Sequence, residues 1–195
     1  MINELHINQT LTNPDVDLTD RVVLITGASR GVGAAAAKFA AETGADVVIN
    51  YRSKEKRADA VAETVRQVGR KAVLAQADLT NDDDVASMLQ SAKEGLGKLD
   101  VLVLNASGGL EKDVPADYSM TLNRDAQVAT AKAALDHMST GGVIIFVTSH
   151  LAHFHGTKPV VESYETVAVG KKACELALRE LLPEMAAKGV RFAVV

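Results

Sequence analysis

Apolar and polar segments alternate along the chain, and their lengths predict a regular succession of strands and helices. Short runs rich in Val, Ile, Leu and Ala predict buried strands at residues 22–25, 46–50, 72–75, 101–104, 143–147 and 190–195. The longer segments between them, several of them ended by glycine, predict helices at residues 31–43, 54–68, 81–95, 118–137 and 164–187. Because strand and helix alternate throughout, we expect the chain to fold through right-handed βαβ crossovers.

This alternation predicts an α/β fold with a Rossmann-type, doubly wound parallel sheet between two layers of helices, as one domain over residues 18–195. The strands are apolar almost throughout, which is typical of a sheet covered on both faces. Residues 1–17 are polar and irregular, and they predict an N-terminal tail. The closing R-F-A-V-V predicts a strand that has only begun, so we expect a C-terminal part to be missing from the chain.

The segment V-V-L-I-T-G-A-S-R-G-V-G, residues 22–33, joins a predicted strand to a predicted helix through a glycine-rich turn. That order and the G-x-x-x-G-x-G spacing indicate a dinucleotide-binding βα unit. Gly27 allows a sharp turn after the strand, Gly31 lets backbone approach a pyrophosphate, and Gly33 lets the helix pack close to the strand. The free N–H groups at the start of the helix would then face the phosphates.

Composition narrows the classes of function. The chain has 195 residues, a net charge of −4 and one cysteine, Cys174, so it cannot form an internal disulfide. No long basic patch indicates nucleic acid, and no apolar run reaches the ~20 residues of a membrane span. The N-terminus lacks the pattern of a secretory signal. We therefore expect a cytoplasmic protein without nucleic-acid or membrane partners, with Cys174 an inert core residue.

From about Leu18 onward the chain resembles the short-chain dehydrogenase/reductase family, whose pattern T-G-x-x-x-G-x-G matches Thr26 to Gly33. The resemblance implies an oxidoreductase that transfers hydride between a nicotinamide cofactor and a small carbonyl or alcohol substrate. It also implies a homo-oligomer, dimer or tetramer, paired through the helices at 118–137 and 164–187. The small alanine-rich faces of these two helices would allow close packing.

The cofactor predicted from these residues is NADP(H). An NAD enzyme usually carries an acidic residue at the end of the second strand, where this chain has Asn50. Arg30 and Arg52 could instead face a 2′-phosphate, with Ser53 adding a hydroxyl, and in the resembled family a basic residue at the Arg30 position accompanies NADP. The resemblance also places Asp78 and Leu79 near the adenine and Asn105 beside the adenosine ribose. The full predicted cofactor set is Gly27, Ser29, Arg30, Gly31, Val32, Gly33, Arg52, Ser53, Asp78, Leu79, Asn105, Ala106, Tyr164 and Lys171.

The predicted reactive residues follow the fifth strand. Ser149 and Tyr164 match the family's serine, which holds the substrate carbonyl, and its tyrosine, which exchanges the proton. The family's Y-x-x-x-K spacing fails here, because Ala168 stands four residues after Tyr164. Lys171, seven residues on, lies within roughly 20° of the face of Tyr164, whereas Lys172 points away. Asn123 matches a helical asparagine that in the family holds a water near the lysine.

Three hypotheses of function remain open at this point. The first is an NADP(H)-dependent carbonyl reductase or alcohol dehydrogenase. The second is an enoyl-thioester reductase, because the Y-x6-K spacing resembles that branch of the family. The third is a non-catalytic NADP-binding regulator. His150, His153 and His155 are clustered, but no neighbouring Cys or carboxylate completes a metal site, so we predict no metal and expect them in an irregular loop lining a substrate pocket.

Overall fold

The computed structural model describes residues 16–110, 115 and 117–195, which form one parallel six-stranded sheet between two layers of helices. The strand order is β3-β2-β1-β4-β5-β6. The strands are β1 Val22–Ile25, β2 Asp46–Tyr51, β3 Ala72–Gln76, β4 Leu99–Leu104, β5 Met138–Phe146 and β6 Arg191–Val194. The prediction of a Rossmann-type doubly wound sheet is confirmed.

Successive side chains of β1 point into two separate cores. Val23 and Ile25 pack with α1 Gly31–Glu42 and α2 Glu55–Gln67 on one face. Val22 and Leu24 pack on the other face, in a core shared with α3 Asp82–Leu96, α5 Ala126–Leu135 and α7 Glu162–Glu180. Burial on both faces explains why the strands are apolar without alternation.

The sheet reverses its order between β1 and β4. The chain runs outward from β1 through β2 to β3, and then crosses back to place β4 on the other side of β1. Loops on the two sides of this point diverge beyond the carboxyl ends of the strands, so a crevice opens there. The glycine-rich turn after β1 and the loop after β4 both border that crevice.

The predicted helix at 118–137 is wrong in two respects. It is divided into α4 Tyr118–Met120, a π-helical turn at Thr121–Asp125 and α5, and β5 begins at Met138 rather than at residue 143. The two glycines expected to follow the helix lie inside the strand instead. A Cβ on Gly142 would lie 2.9 Å from the carbonyl oxygen of Asp100, so the strand needs glycine where its register against β4 shifts.

The segment after β5 also differs from the prediction. Residues His150–Phe154 form a short helix, α6, where we expected an irregular loop. The predicted helix at 164–187 begins two residues earlier and divides into α7 and α8 Leu182–Ala187. Pro183, the second residue of α8, lacks the N–H that a continuous helix would need there.

Most of the predicted N-terminal tail lies outside the described residues, of which only Val16 and Asp17 belong to it. Among the described residues, none of the helices combines the length and the apolar character required to cross a bilayer.

Candidate active site

The glycine-rich turn after β1 packs against the loop after β4. Gly27 has a φ of +63°, and a Cβ there would lie 3.0 Å from the Cα of Ala106. A Cβ on Gly33 would lie 2.6 Å from Nδ2 of Asn105 and 2.7 Å from the carbonyl oxygen of Gly27. Glycine is therefore required at both positions by close approach, and at Gly27 also by a left-handed backbone.

Two buried polar side chains fasten this turn to the neighbouring strands. The Thr26 hydroxyl, which is fully buried, accepts hydrogen bonds from the N–H groups of Asn105 at 2.9 Å and Ala106 at 3.0 Å. Asn105 in turn donates from Nδ2 to the carbonyl oxygen of Thr26 at 2.9 Å. Thr26 stands directly before the glycine pattern, but these contacts were not predicted from the sequence.

Asn50 is the second of these buried polar side chains, and it is 2% exposed. Its Oδ1 accepts the N–H of Gly27 at 3.0 Å, and its Nδ2 donates to the carbonyl oxygens of Ala75 at 3.2 Å and Ala77 at 3.3 Å. The amide thus ties the turn after β1 to the end of β3. Both polar atoms of the Asn50 side chain are therefore used in bonds that hold these segments together.

A cleft of about 500 Å³ opens at the sheet's reversal point. Eleven of the fourteen predicted cofactor residues line it, and Gly33, Tyr164 and Lys171 do not. The lining residues from the prediction are Gly27, Ser29, Arg30, Gly31, Val32, Arg52, Ser53, Asp78, Leu79, Asn105 and Ala106. The cleft also includes residues that the sequence analysis missed, among them Lys54, Arg57, Tyr118 and Leu122.

Four cationic side chains line the cleft. Arg30, Arg52, Lys54 and Arg57 all line it, and none of the four forms an ion pair with another described residue. Lys54 and Arg57 lie about one turn apart at the start of α2, so the basic run after β2 was the signal that could have found them. Cations without ion-pair partners favour the binding of an anionic ligand in this cleft.

Asp78 lies at the cleft but its carboxylate bonds within its own loop. Oδ1 accepts from the N–H of Thr80 at 3.0 Å and from its hydroxyl at 2.7 Å. The N–H of Asp78 donates to Asp84 at 2.8 Å, which ties the loop to the first turn of α3. Leu79 is buried beside it. Asp78 and Leu79 therefore shape the cleft wall.

Lys171 and Ser149 lie at the carboxyl end of β5. Lys171 is 7% exposed, and its Nζ donates to the carbonyl oxygen of Val147 at 2.7 Å. Burial lowers the pKa of this ammonium from its ordinary value. The Ser149 hydroxyl oxygen accepts the N–H of Leu151 at 3.2 Å, so Ser149 caps α6.

Tyr164 lies in the first turn of α7 and is 45% exposed. No hydrogen bond joins its hydroxyl to Ser149, Lys171 or any other described residue. Between Tyr164 and Lys171 the same stretch of helix carries Val167, which borders a smaller cleft of about 310 Å³ together with Arg30, Ser107, Gly108 and Leu110. An apolar residue therefore occupies the helical turn before the buried lysine.

Asn123 joins the π-helical turn to the loop after β4. It is 1% exposed, its Oδ1 accepts the Ser107 hydroxyl at 2.8 Å, and its Nδ2 donates to the carbonyl oxygen of Gly108 at 2.7 Å. A Cβ on Gly170 would lie 3.2 Å from the Cβ of Asn123, so α7 packs tightly on this turn. The asparagine links the elements that surround Lys171.

Two of the histidines at α6 and its end, His153 and His155, make separate contacts. The ring of His153 packs edge-on against Phe154 at 4.8 Å. His155 Nε2 lies 4.0 Å from Glu165, and the carbonyl oxygen of His155 accepts from Lys172 Nζ at 3.0 Å. Within the described ranges, no three His, Cys, Asp or Glu side chains form a group that could hold a metal ion.

Comparison with known proteins identifies the family. A family profile described as short chain dehydrogenase matches residues 21–195. The chain belongs to the short-chain dehydrogenase family. Solved structures of this family share its fold: a short chain dehydrogenase from Burkholderia cenocepacia J2315 in complex with NADP has a TM-score of 0.80 and 31% identity, over 91% of this chain and 73% of that one.

Curated short-chain dehydrogenase relatives include named reductases. A hydroxynaphthalene reductase from Aspergillus fumigatus is 34% identical over 176 residues, covering 80% of this chain and 64% of that protein. Versicolorin reductase 1 from Dothistroma septosporum is 39% identical over 145 residues, covering 71% of this chain and 55% of that protein. The chain thus spans about half to two thirds of the length of these curated relatives.

Proposed function

We propose that the chain forms the NADP(H)-binding part of an oxidoreductase that interconverts a small carbonyl compound and its alcohol. The observation that carries the proposal is the cleft at the sheet's reversal point, which is lined by a glycine-rich turn and by four cationic side chains, Arg30, Arg52, Lys54 and Arg57. A 2′-phosphate adds negative charge to the adenosine end of NADP, so it matches those cations. Support also comes from the solved relative that is in complex with NADP.

The reactive roles proposed here rest on the end of β5 and on α7. When bound, NADPH supplies the hydride that reduces a carbonyl carbon. Ser149 donates a hydrogen bond to the carbonyl oxygen, and Tyr164 gives that oxygen the proton that completes the alcohol. Lys171 holds the nicotinamide ribose through its ammonium group. Asn123 positions the loop and the helix that surround Lys171.

A second candidate is an enoyl-thioester reductase. The observation that favours it is Val167, an apolar residue that borders the smaller cleft in the helical turn before Lys171. Val167 stands four residues before Lys171, where the Y-x-x-x-K spacing would place the tyrosine, so Tyr164 lies about one helical turn farther from the lysine. The third candidate, a regulator that binds NADP without turnover, is disfavoured because Ser149 and Tyr164 are both present.

We also propose a homo-oligomer, dimer or tetramer, paired through α5 and α7, and a cytoplasmic location. Leu176, 58% exposed on α7, is an apolar side chain that pairing could cover. Light scattering on the full-length protein tests the assembly, since a monomer at all concentrations contradicts it. Fractionation of cells that express the full-length protein tests the location.

The test of the main proposal uses the full-length protein. NADPH and NADH are titrated at equilibrium, and NADPH oxidation is then followed with ketones, quinones and enoyl thioesters. Tighter NADPH binding with carbonyl reduction supports the first candidate, and turnover of enoyl thioesters alone supports the second. NADPH binding without turnover of any substrate supports the regulator, and equal affinity for the two cofactors contradicts the NADP preference.

A further inference from the structure

Arg52 and Tyr118 meet across the cofactor cleft although they are far apart in the sequence. Arg52 follows β2 on one side, and Tyr118 begins α4 on the other, and both line the cleft. The Nη1 of Arg52 donates a hydrogen bond to the Tyr118 hydroxyl. This bond connects the segment after β2 to the segment that precedes the π-helical turn.

The two side chains are held differently. The ring of Tyr118 packs against the core that includes α3, α5 and α7, so its hydroxyl is the part that reaches the cleft. Arg52 is exposed, but its backbone carbonyl accepts from Gln76 Nε2 at 3.1 Å. A fixed phenol therefore orients a guanidinium that would otherwise move freely in solvent.

The pair keeps donors available for an anion. A phenol oxygen that accepts from Arg52 still carries its own proton, and no described residue accepts that proton. A guanidinium has five N–H donors, so one bond to Tyr118 leaves its Nε and Nη2 donors free. Donors from two walls of one cleft suit a tetrahedral phosphate better than a ribose hydroxyl, because a phosphate has several charged acceptor oxygens.

We infer that Tyr118 is a specificity residue for the 2′-phosphate of NADP, which it recognises by orienting Arg52 and by donating its own hydroxyl proton to the phosphate. The inference rests on the proposed function, because it assigns the cleft to NADP(H). Orientation of the guanidinium before binding reduces the side-chain entropy lost when the phosphate arrives. Tyr118 has no local sequence pattern that indicates this role, since its partner precedes it by 66 residues.

The test is a double-mutant cycle on the full-length protein, with affinities for NADP⁺, NAD⁺ and adenosine 2′-monophosphate measured by calorimetry. Tyr118→Phe keeps the packed ring and removes only the hydroxyl. We expect it to weaken the binding of NADP⁺ and of adenosine 2′-monophosphate roughly tenfold and to change the affinity for NAD⁺ by no more than about twofold. Arg52→Met should cause a larger loss of NADP⁺ affinity. The double variant should lose less affinity than the product of the two single losses.

Arg66→Met is the matched control for the loss of a positive charge. Arg66 lies at the other end of α2, where it pairs with Asp59 and Glu63, and it does not line the cleft. This variant should bind both nucleotides as the wild type does. Thermal unfolding of every variant checks that the fold is retained.

The inference is overturned if Tyr118→Phe binds NADP⁺ as tightly as the wild type does. Equal weakening of NADP⁺ binding and NAD⁺ binding also overturns it, because the hydroxyl would then contact a part of the molecule that both nucleotides share. Fully multiplicative losses in the double variant remove the role of Tyr118 in orienting Arg52. A wild-type protein that binds neither nucleotide overturns the cofactor proposal itself, and this inference with it.

Discussion

The ammonium of Lys171 donates a hydrogen bond to the backbone carbonyl of Val147, at 2.7 Å. The next residue, Lys172, reaches a different segment and donates to the carbonyl of His155 at 3.0 Å. Two adjacent lysines thus hold the two ends of the segment that contains Ser149 and α6. Only the first of them is buried at the carboxyl end of the sheet.

Replacement of these lysines should separate a proposed catalytic role from a structural one. We expect Lys171→Met to lower turnover by roughly 10²-fold and to weaken NADPH binding, because the variant lacks the positive charge that is proposed to hold the ribose. Lys172→Met should change NADPH affinity little and cost about 1 kcal/mol of stability or less, since it removes one hydrogen bond. Steady-state kinetics, NADPH titration and urea unfolding measure these effects, and a reversed order of damage would assign the role to Lys172.

Removal of the Tyr164 hydroxyl tests the proposed proton donor. Tyr164→Phe should lower kcat by ~10²–10⁴-fold, the usual contribution of general acid catalysis, and leave NADPH affinity nearly unchanged. The measurement is turnover with the best carbonyl substrate, beside a direct NADPH titration. An active enzyme that tolerates the change takes its proton from another group, and His153 and His155 would be examined next.

Gly33 should tolerate no side chain. In Gly33→Ala, the new methyl group would meet Asn105 Nδ2 at 2.6 Å and the carbonyl oxygen of Gly27 at 2.7 Å. We expect a loss of about 1–3 kcal/mol in stability, together with weaker nucleotide binding, because the turn must shift. Urea unfolding and NADPH titration measure both effects.

Gly95→Ala is the matched control for that prediction. Gly95 lies inside α3, and its added methyl group would meet a methyl of Val73 at 2.6 Å, which is a side chain rather than backbone. Alanine also favours a helix by about 1 kcal/mol over glycine. Gly95→Ala should therefore change stability less than Gly33→Ala, and an equal loss in both variants would contradict the explanation from backbone contact.

Cys174 should make stability depend on alkaline pH. Burial raises the pKa of its thiol from an ordinary value of 9.0 to about 12. The folded state thus binds the proton more tightly than the unfolded state does. The resulting stabilisation is fully present below about pH 9 and is lost as the pH rises toward 12.

Urea unfolding of the wild type and of Cys174→Val at pH 8 and pH 10, in the presence of a reductant, measures this dependence. Between these pH values the free energy of unfolding of the wild type should fall by about 1 kcal/mol more than that of the variant. Burial lowers the pKa of Lys171, so its contribution has the opposite sign and grows as the pH rises. Because Lys171 is present in both proteins, its contribution largely cancels, and equal pH slopes would contradict the prediction.

The sequence predicted the sheet because apolar runs and glycine stops are local signals. It could not predict the π-helical turn at Thr121–Asp125, since that turn depends on Asn123 meeting the loop after β4. It also missed α6, whose five residues are too few to show a helical period.

The candidate site divides in the same way. The glycine-rich turn and the arginines after β1 and β2 were predictable from spacing. The contact between Arg52 and Tyr118 joins residues of separate elements, so no local pattern contains it. The structural role of Asn50 could not be predicted from the sequence either, because its bonds to Gly27 and to the end of β3 form only when three segments pack together.

Those bonds of Asn50 restrict how the proposed cofactor preference could be redesigned. An acidic residue at the end of β2 is the usual choice for NAD, but Asn50→Asp would set a buried carboxylate against the carbonyl oxygens of Ala75 and Ala77. A side chain that now joins three segments by hydrogen bonds would then repel the carbonyl oxygens of one of them. The positions open to redesign are Arg52 and Ser53, whose exposed side chains can be exchanged without breaking the hydrogen bonds that Asn50 makes to the glycine-rich turn and to the end of β3.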